Sequence, residues 1–183
     1  MIKLKKLREK GVLQNIIQLT ETHVTYLAEG KKFPLTAEEN VRLDYYLKLV
    51  FLKSIPPDRL KTEFPVHIGT KTLRADIVAE QLFEKDFPKF FLIVECKRKG
   101  LSPADMEKAK KQAFSYERQL GADFVVVTDG DEHFCYETVF TKHGTSHRPV
   151  HDFPRVGART LLIWRLRKWL FRLKKFGLND GKR

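Results

Sequence analysis

At 183 residues the chain is long enough for one domain with a real hydrophobic core and too short for two of ordinary size. With 42% hydrophobic and 32% charged residues, 14 Phe and only 10 Gly, the composition excludes disordered and fibrous classes and leaves a soluble globular domain. The formal charge of +12 at pH 7 makes a polyanion the first partner to consider, because Lys and Arg bound along a phosphate backbone release condensed counterions.

In chain order, the basic start MIKLKKLREKG leads into VLQNIIQL, which amides interrupt and no small-residue cleavage site follows, so a signal peptide is not expected. Thr22 to Ala28 alternates like a short strand. Thr36, with Glu39 three residues on, forms a capping box that opens a helix running to about Ser54, where Pro56-Pro57 ends it. Phe64 to Ile68 and Leu73 to Phe83 read as strands around a Gly69 turn, and Phe90 to Lys97 is the most strand-like segment of the chain. Pro103 begins a helix that Gly121 stops after Leu120. Phe124 to Thr128 is a buried strand, Asp129-Gly130 turns it, and His133 to Thr138 returns. The stretch from Thr141 to Gly157 reads as a loop. This order predicts an α/β sandwich of about five strands with helices on both sides. No apolar run approaches the roughly 18 residues that a membrane span needs. Two cysteines, Cys96 and Cys135, are too few for a secreted disulfide scaffold, which fits a cytoplasmic address.

Side chains alternate across a strand, so Phe91, Ile93, Glu95 and Lys97 share one face, and Cys96 lies on the other as a core residue rather than a nucleophile. A carboxylate and an ammonium ending an apolar strand are costly to bury unless paired or given a ligand. The preceding strand supplies Asp76, which a hairpin through Glu84-Lys85-Asp86 would set beside Glu95. Two adjacent carboxylates raise one another's pKa unless a cation neutralises them, and hard divalent cations take such oxygens. On spacing alone, a surface salt bridge between neighbouring strands explains the same residues.

Leu35 to Glu137 resembles the N-terminal nuclease domain of type I restriction enzyme R subunits, through LTAEENVR, RADIV, FLIVECKRKG and KKQAFSYERQLGADFVVVTDGDEHFCYE in that order. The resemblance implies a restriction-endonuclease-like α/β core over 1–140. It also implies a PD-(D/E)xK triad at Asp76, Glu95 and Lys97, with the Q-x-x-x-Y motif at Gln112 and Tyr116. Ala75 replaces the proline that names the class, at a position that bears no ligand. Mg²⁺, with Mn²⁺ as an alternative, is the implied cofactor, held by Asp76 and Glu95. Glu38 is the candidate third ligand, because it lines up with Val41, Tyr45, Leu49 and Leu52, whereas the capping position accounts for Glu39. A plain acid in the first helical turn explains Glu38 as well.

Arg98 and Lys99 follow the triad as candidate nucleic-acid contacts. His143, His147 and His151, with Cys135 upstream, superficially suggest zinc, but Gly144 and Pro149 oppose a helix and only one cysteine is at hand, so no zinc site is expected there. From Arg155 onward ten Lys or Arg stand against Asp180 alone. After the loop at 141–157, residues 158–183 are expected to form a basic amphipathic helix and tail. Leu162, Leu166, Trp169, Leu173 and Phe176 make its apolar stripe, and Arg165, Lys168, Arg172 and Lys175 are candidate phosphate contacts. A membrane surface is the less favoured docking place for it.

The expected activity is a Mg²⁺-dependent endodeoxyribonuclease of restriction or phage defence; the alternative is a non-catalytic DNA-binding or adaptor module of the same fold. No G-x-x-x-x-G-K-[ST] loop or base-reading motif occurs in the 183 residues, so a separate motor or recognition subunit is an expected partner beside DNA. Homo-oligomerisation is left open.

Overall fold

The computed structural model describes residues 4–80, 90–141 and 144–155. The expected turn Glu84-Lys85-Asp86, His143 and the basic helix at 158–183 lie outside the described residues. Helix α1 (Leu4–Leu13) leads into a small antiparallel sheet of β1 (Ile17–Leu19), β2 (His23–Tyr26) and β3 (Lys31–Pro34). Helix α2 (Ala37–Lys53) follows, then β4 (Leu60–Ile68), β5 (Lys71–Glu80) and β6 (Phe90–Cys96). Helix α3 (Pro103–Leu120) then leads to β7 (Phe124–Thr128), β8 (His133–Thr141) and β9 (Gly144–Val150). The second sheet has six strands in the order β4-β5-β6-β7-β8-β9. Its pairs are antiparallel except β6 with β7, and α3 is the crossover that this parallel pair requires. The chain is thus a mixed α/β fold whose six-stranded sheet is flanked by helices.

Local chemistry sets the helix ends. Thr36 accepts the Glu39 N–H (3.1 Å) at the start of α2, and Ser54 ends it in the left-handed region. Ser102 accepts the Asp105 N–H (3.2 Å) at the start of α3, and Gly121 closes it at φ 69°. Helix α2 buries Val41, Tyr45 and Leu49 of the predicted stripe while Leu52, near the helix end, is exposed, and it also buries Leu43, Tyr46 and Leu47. It is buried on more than one side because it packs on α1 as well as on β5 and β6, with Tyr46 against Tyr26 of the small sheet (ring centroids 4.7 Å apart). Helix α3 lays Met106, Ala109 and Ala113 on Val125 and Val127, and Tyr116 on Val78 and Ile93.

Strand β9 forms where a loop is expected. Its register with β8 runs from Cys135 opposite Val150 to Thr141 opposite Gly144. No apolar alternation announces it, because the half-buried residues that precede Val150 are Thr145 and His147. His147 stacks on Phe114 of α3 (3.9 Å, 11°), and its Nε2 lies 2.9 Å from Oε2 of the buried Glu117. A hydrogen-bonded, ring-stacked histidine thus does what a Val or Ile does in an ordinary strand. The compact unit runs on to Phe153, whose ring meets Phe91 (6.1 Å) and Phe124 (6.2 Å) and whose carbonyl accepts Lys53 Nζ (2.6 Å). Among the described residues no helix is long and apolar enough to cross a membrane.

Phe153 is 2% exposed. Phe153→Ala is expected to cost about 3–5 kcal/mol, the usual range for deleting a buried aromatic ring. Urea unfolding will show it as a lower midpoint at unchanged slope; an unchanged midpoint would remove residues 151–153 from the core.

Candidate active site

The site begins where two strands part. The ladder between β5 and β6 is regular through Val78 opposite Ile93 and Ile77 opposite Val94, and one further step brings Asp76 opposite Glu95. There the ladder stops. The Cys96 N–H is taken by the Asp76 carboxylate (Oδ2, 2.7 Å), while β6 continues along β7 and Lys97 N–H reaches the Thr128 carbonyl (2.8 Å). A side-chain carboxylate in place of a main-chain carbonyl lets the strands diverge without orphaning a buried N–H. On the far side of β5, Glu63 lies between the pairs Thr62–Ile77 and Phe64–Ala75, with φ 49°. A non-glycine residue in the left-handed region is a local strain of the kind found at functional sites.

Three expected residues come together in this notch. Asp76 and Glu95 are 5% and 1% exposed, and Lys97 Nζ donates to Glu95 Oε1 (2.6 Å). Glu95 Oε2 is buried with no hydrogen-bond partner among the described residues. Burial, and then the Asp76 charge, push the Glu95 carboxyl up to about 8 against the pull of Lys97. Burial works to lower Lys97, but Glu95 outweighs it, and the ammonium is held above its ordinary value.

Glu38 and Glu39 differ in burial, and it is Glu39, not the Glu38 expected on the core-facing stripe, that is buried. Glu39 does not complete the capping box, because the Thr36 N–H it would satisfy already donates to the Pro34 carbonyl (2.9 Å). Its buried carboxylate instead accepts the Tyr26 hydroxyl (2.7 Å) and Arg42 Nη1 (2.7 Å). Glu38 is half-buried. Burial raises its carboxyl, Lys97 and Arg42 oppose the rise, and Asp76 and Glu63 add to it, so it stands within electrostatic reach of the notch.

Gln112 and Tyr116 meet on α3, with Gln112 Nε2 donating to the Tyr116 hydroxyl (2.6 Å). Burial raises the Tyr116 phenol, and the charges of Glu95 and Asp76 reach it. Arg98 and Lys99 are exposed after β6, and Lys99 pairs with Asp131 (2.6 Å). Arg165, Lys168, Arg172 and Lys175 lie outside the described residues.

Sequence reasoning missed Arg42. Buried at 5% exposure, it reaches Glu39, Asp76 (Oδ1, 2.6 Å) and Glu63 with one guanidinium. Burial works against its charge, but Asp76, Glu39 and Glu63 outweigh it and raise its pKa further. The available signal was the E-x-x-R spacing from Glu39, which reads equally well as an exposed i,i+3 pair. Asp129 was also missed as an organiser of the site's margin: it accepts N–H groups from Gly100 (3.2 Å), Asp131 (3.1 Å) and Glu132 (2.8 Å). Burial alone would raise its carboxyl, yet these donors hold it below the usual range.

The model of the family described as type I restriction enzyme R protein N terminus matches residues 37–154, well over half of the chain and all of the notch. The chain belongs to that family. No curated protein and no solved structure matches the chain. The family match begins at the first residue of α2 and ends beside Phe153, so it takes in β9 and leaves out α1 and the small sheet.

Glu95 predicts a pH dependence. Its folded pKa, about 8, stands above the ordinary 4.5, so between those values the native state keeps a proton that the unfolded chain releases. That contribution to the stability of the metal-free chain is complete below the lower value and is lost as pH rises through the upper one. Thermal melts from about pH 4 to about pH 9 are expected to fall over this window in the wild type and to flatten in Glu95→Gln, which needs no proton.

Proposed function

We propose that the chain is a Mg²⁺-dependent endodeoxyribonuclease that hydrolyses phosphodiester bonds, acting in restriction or phage defence in the cytoplasm. The observation that carries this reading is the buried Glu95 Oε2, without a hydrogen-bond partner among the described residues, set with Asp76 one ladder step beyond the Ile77–Val94 pair and beside Lys97. A desolvated carboxylate oxygen of this kind is costly unless a cation meets it, and two carboxylates are a suitable donor set for a hard dication. Asp76 and Glu95 would hold Mg²⁺, or Mn²⁺ in its place, with Glu38 as a third ligand. When bound, the ion supplies charge stabilisation at a phosphate oxygen and acidifies a coordinated water.

The remaining roles belong to the chain. Lys97, held by Glu95, orients the attacking water and neutralises charge that develops on the phosphate. Arg42 holds Asp76 Oδ1 and leaves the carboxylate's second lone pairs to the notch. Gln112 and Tyr116 brace the α3 side. DNA is the substrate, Arg98 and Lys99 contact its backbone beside the site, and a motor or recognition subunit is the further partner.

One observation favours the second reading, a non-catalytic DNA-binding or adaptor module: Asp76 already has protein donors on both oxygens. Incubation of the purified chain with plasmid and linear DNA in Mg²⁺, Mn²⁺ or EDTA separates the two. Cleavage is expected with either metal and none with EDTA. Asp76→Ala, Glu95→Ala and Lys97→Ala are each expected to lower the rate about 10²–10³-fold or more while the chain still melts cooperatively. Wild-type rates in all three, or DNA binding with no cleavage in any metal, would leave the module reading.

The ten basic residues after Pro154 are proposed to supply most of the phosphate affinity. A chain ending at Pro154 should bind DNA more weakly and with a flatter salt dependence. Unchanged DNA affinity with lost binding to anionic vesicles would make this segment a membrane-surface anchor instead.

A further inference from the structure

The zinc constellation that the sequence suggests is not the one that the fold assembles. His143 lies outside the described residues, and His147 is committed to Glu117 and Phe114. Cys135 meets other partners. His133 and Cys135 are two apart on β8 and so share a face. Val150 of β9 lies opposite Cys135, and two residues later the chain brings Asp152 back to the same place. An imidazole nitrogen, the Cys135 Sγ and an Asp152 carboxylate oxygen all lie within 4.8 Å of one another.

From this juxtaposition we infer that His133, Cys135 and Asp152 form a second metal site, one for a borderline-soft dication of the zinc type, distinct from the carboxylate notch at Asp76 and Glu95. A thiolate with an imidazole selects zinc over magnesium. Bond lengths of about 2.0–2.3 Å put tetrahedral ligands roughly 3.3–3.8 Å apart, so the three donors need to close by only about an ångström.

The surroundings are arranged for it. The Tyr45 ring stacks on the His133 ring (5.9 Å, 17°), and its hydroxyl lies 3.4 Å from Nδ1, leaving Nε2 facing Asp152 Oδ1 at 3.8 Å. An outer partner on one ring nitrogen is the usual companion of a ligating histidine. Lys53 occupies Asp152 Oδ2 (2.6 Å), and Oδ1 accepts the adjacent Phe153 N–H (2.8 Å). Cys135 is the buried floor, while the His133 and Asp152 side chains, 34% and 39% exposed, form a rim through which an ion can enter.

Binding replaces a proton. Burial pushes the Cys135 thiol up to about 12, so the free site carries S–H; the S–H bond breaks, an S–metal bond forms, and the proton leaves to solvent. The three protein ligands leave a fourth position to water. The ion would tie β8 to the segment that carries Phe153 into the core.

The test uses the full chain, stripped with a chelator and titrated with Co²⁺ as a spectroscopic stand-in for zinc. Wild-type protein is expected to develop thiolate-to-cobalt charge-transfer absorption that saturates at one ion per chain and resists excess Mg²⁺, and to melt higher with Zn²⁺. Cys135→Ser should abolish the band. His133→Gln, a change at the partly exposed rim, should weaken cobalt binding by about tenfold or more and lose the zinc-dependent rise in melting temperature. Asp76→Ala should keep both signals, so failure of the nuclease reading and failure of this one are separable. Absence of the band in the wild type, its persistence in Cys135→Ser, or wild-type affinity in His133→Gln would overturn the site.

Discussion

A buried guanidinium holds the notch together. Arg42 projects from α2 to Asp76 on β5 and Glu63 on β4 while also holding Glu39 on its own helix. The helix and both strands therefore share one desolvated charge. Such a network is a demanding arrangement, because removing one partner strands the others' charges out of water at a cost of about 3–5 kcal/mol. It also fixes positions: Asp76 can replace the ladder at Cys96 only while its other oxygen is held away from β6.

Two carboxylates side by side then become tolerable. Arg42 meets Asp76, and Lys97 meets Glu95, so each acid has its own cation and neither cation serves both. The remaining imbalance falls on Glu95, whose second oxygen is buried with no hydrogen-bond partner among the described residues and whose proton affinity is raised by burial and by the Asp76 charge. An acid held in this way is primed for a cation and penalised without one. The same physics separates Glu38 from Glu39, two neighbours in sequence: one turns inward to Arg42 and Tyr26, the other stays half-buried at the edge of the notch.

Along the other end of the sheet, polar pairs do the work that apolar contacts do at the centre. His147 with Glu117 seats β9 on α3, and Lys53 with Asp152 and the Phe153 carbonyl seats the following turn on α2. The Phe153 ring then closes over Phe91 and Phe124. These contacts join residues from about 30 to about 100 positions apart, and none leaves a periodic trace in the local sequence.

What the sequence determined by itself was local: the caps of α2 and α3, the strands from β4 to β8, and the common face of Glu95 and Lys97, because period and capping are short-range properties of the chain. The order of the family's motifs extended that reading to Gln112 and Tyr116. Tertiary structure decided the rest. That Asp76 faces Glu95 depends on the register between strands whose connecting residues carry no register signal. That Arg42 is a buried hub rather than an exposed helix charge depends on two carboxylates arriving from separate strands, Glu63 of β4 and Asp76 of β5. That Cys135 meets His133 and Asp152 depends on β9, which runs back along β8 and returns the chain to Cys135 at Val150. In each case long-range packing and desolvation choose the partner, and neither is written in the spacing of neighbouring residues.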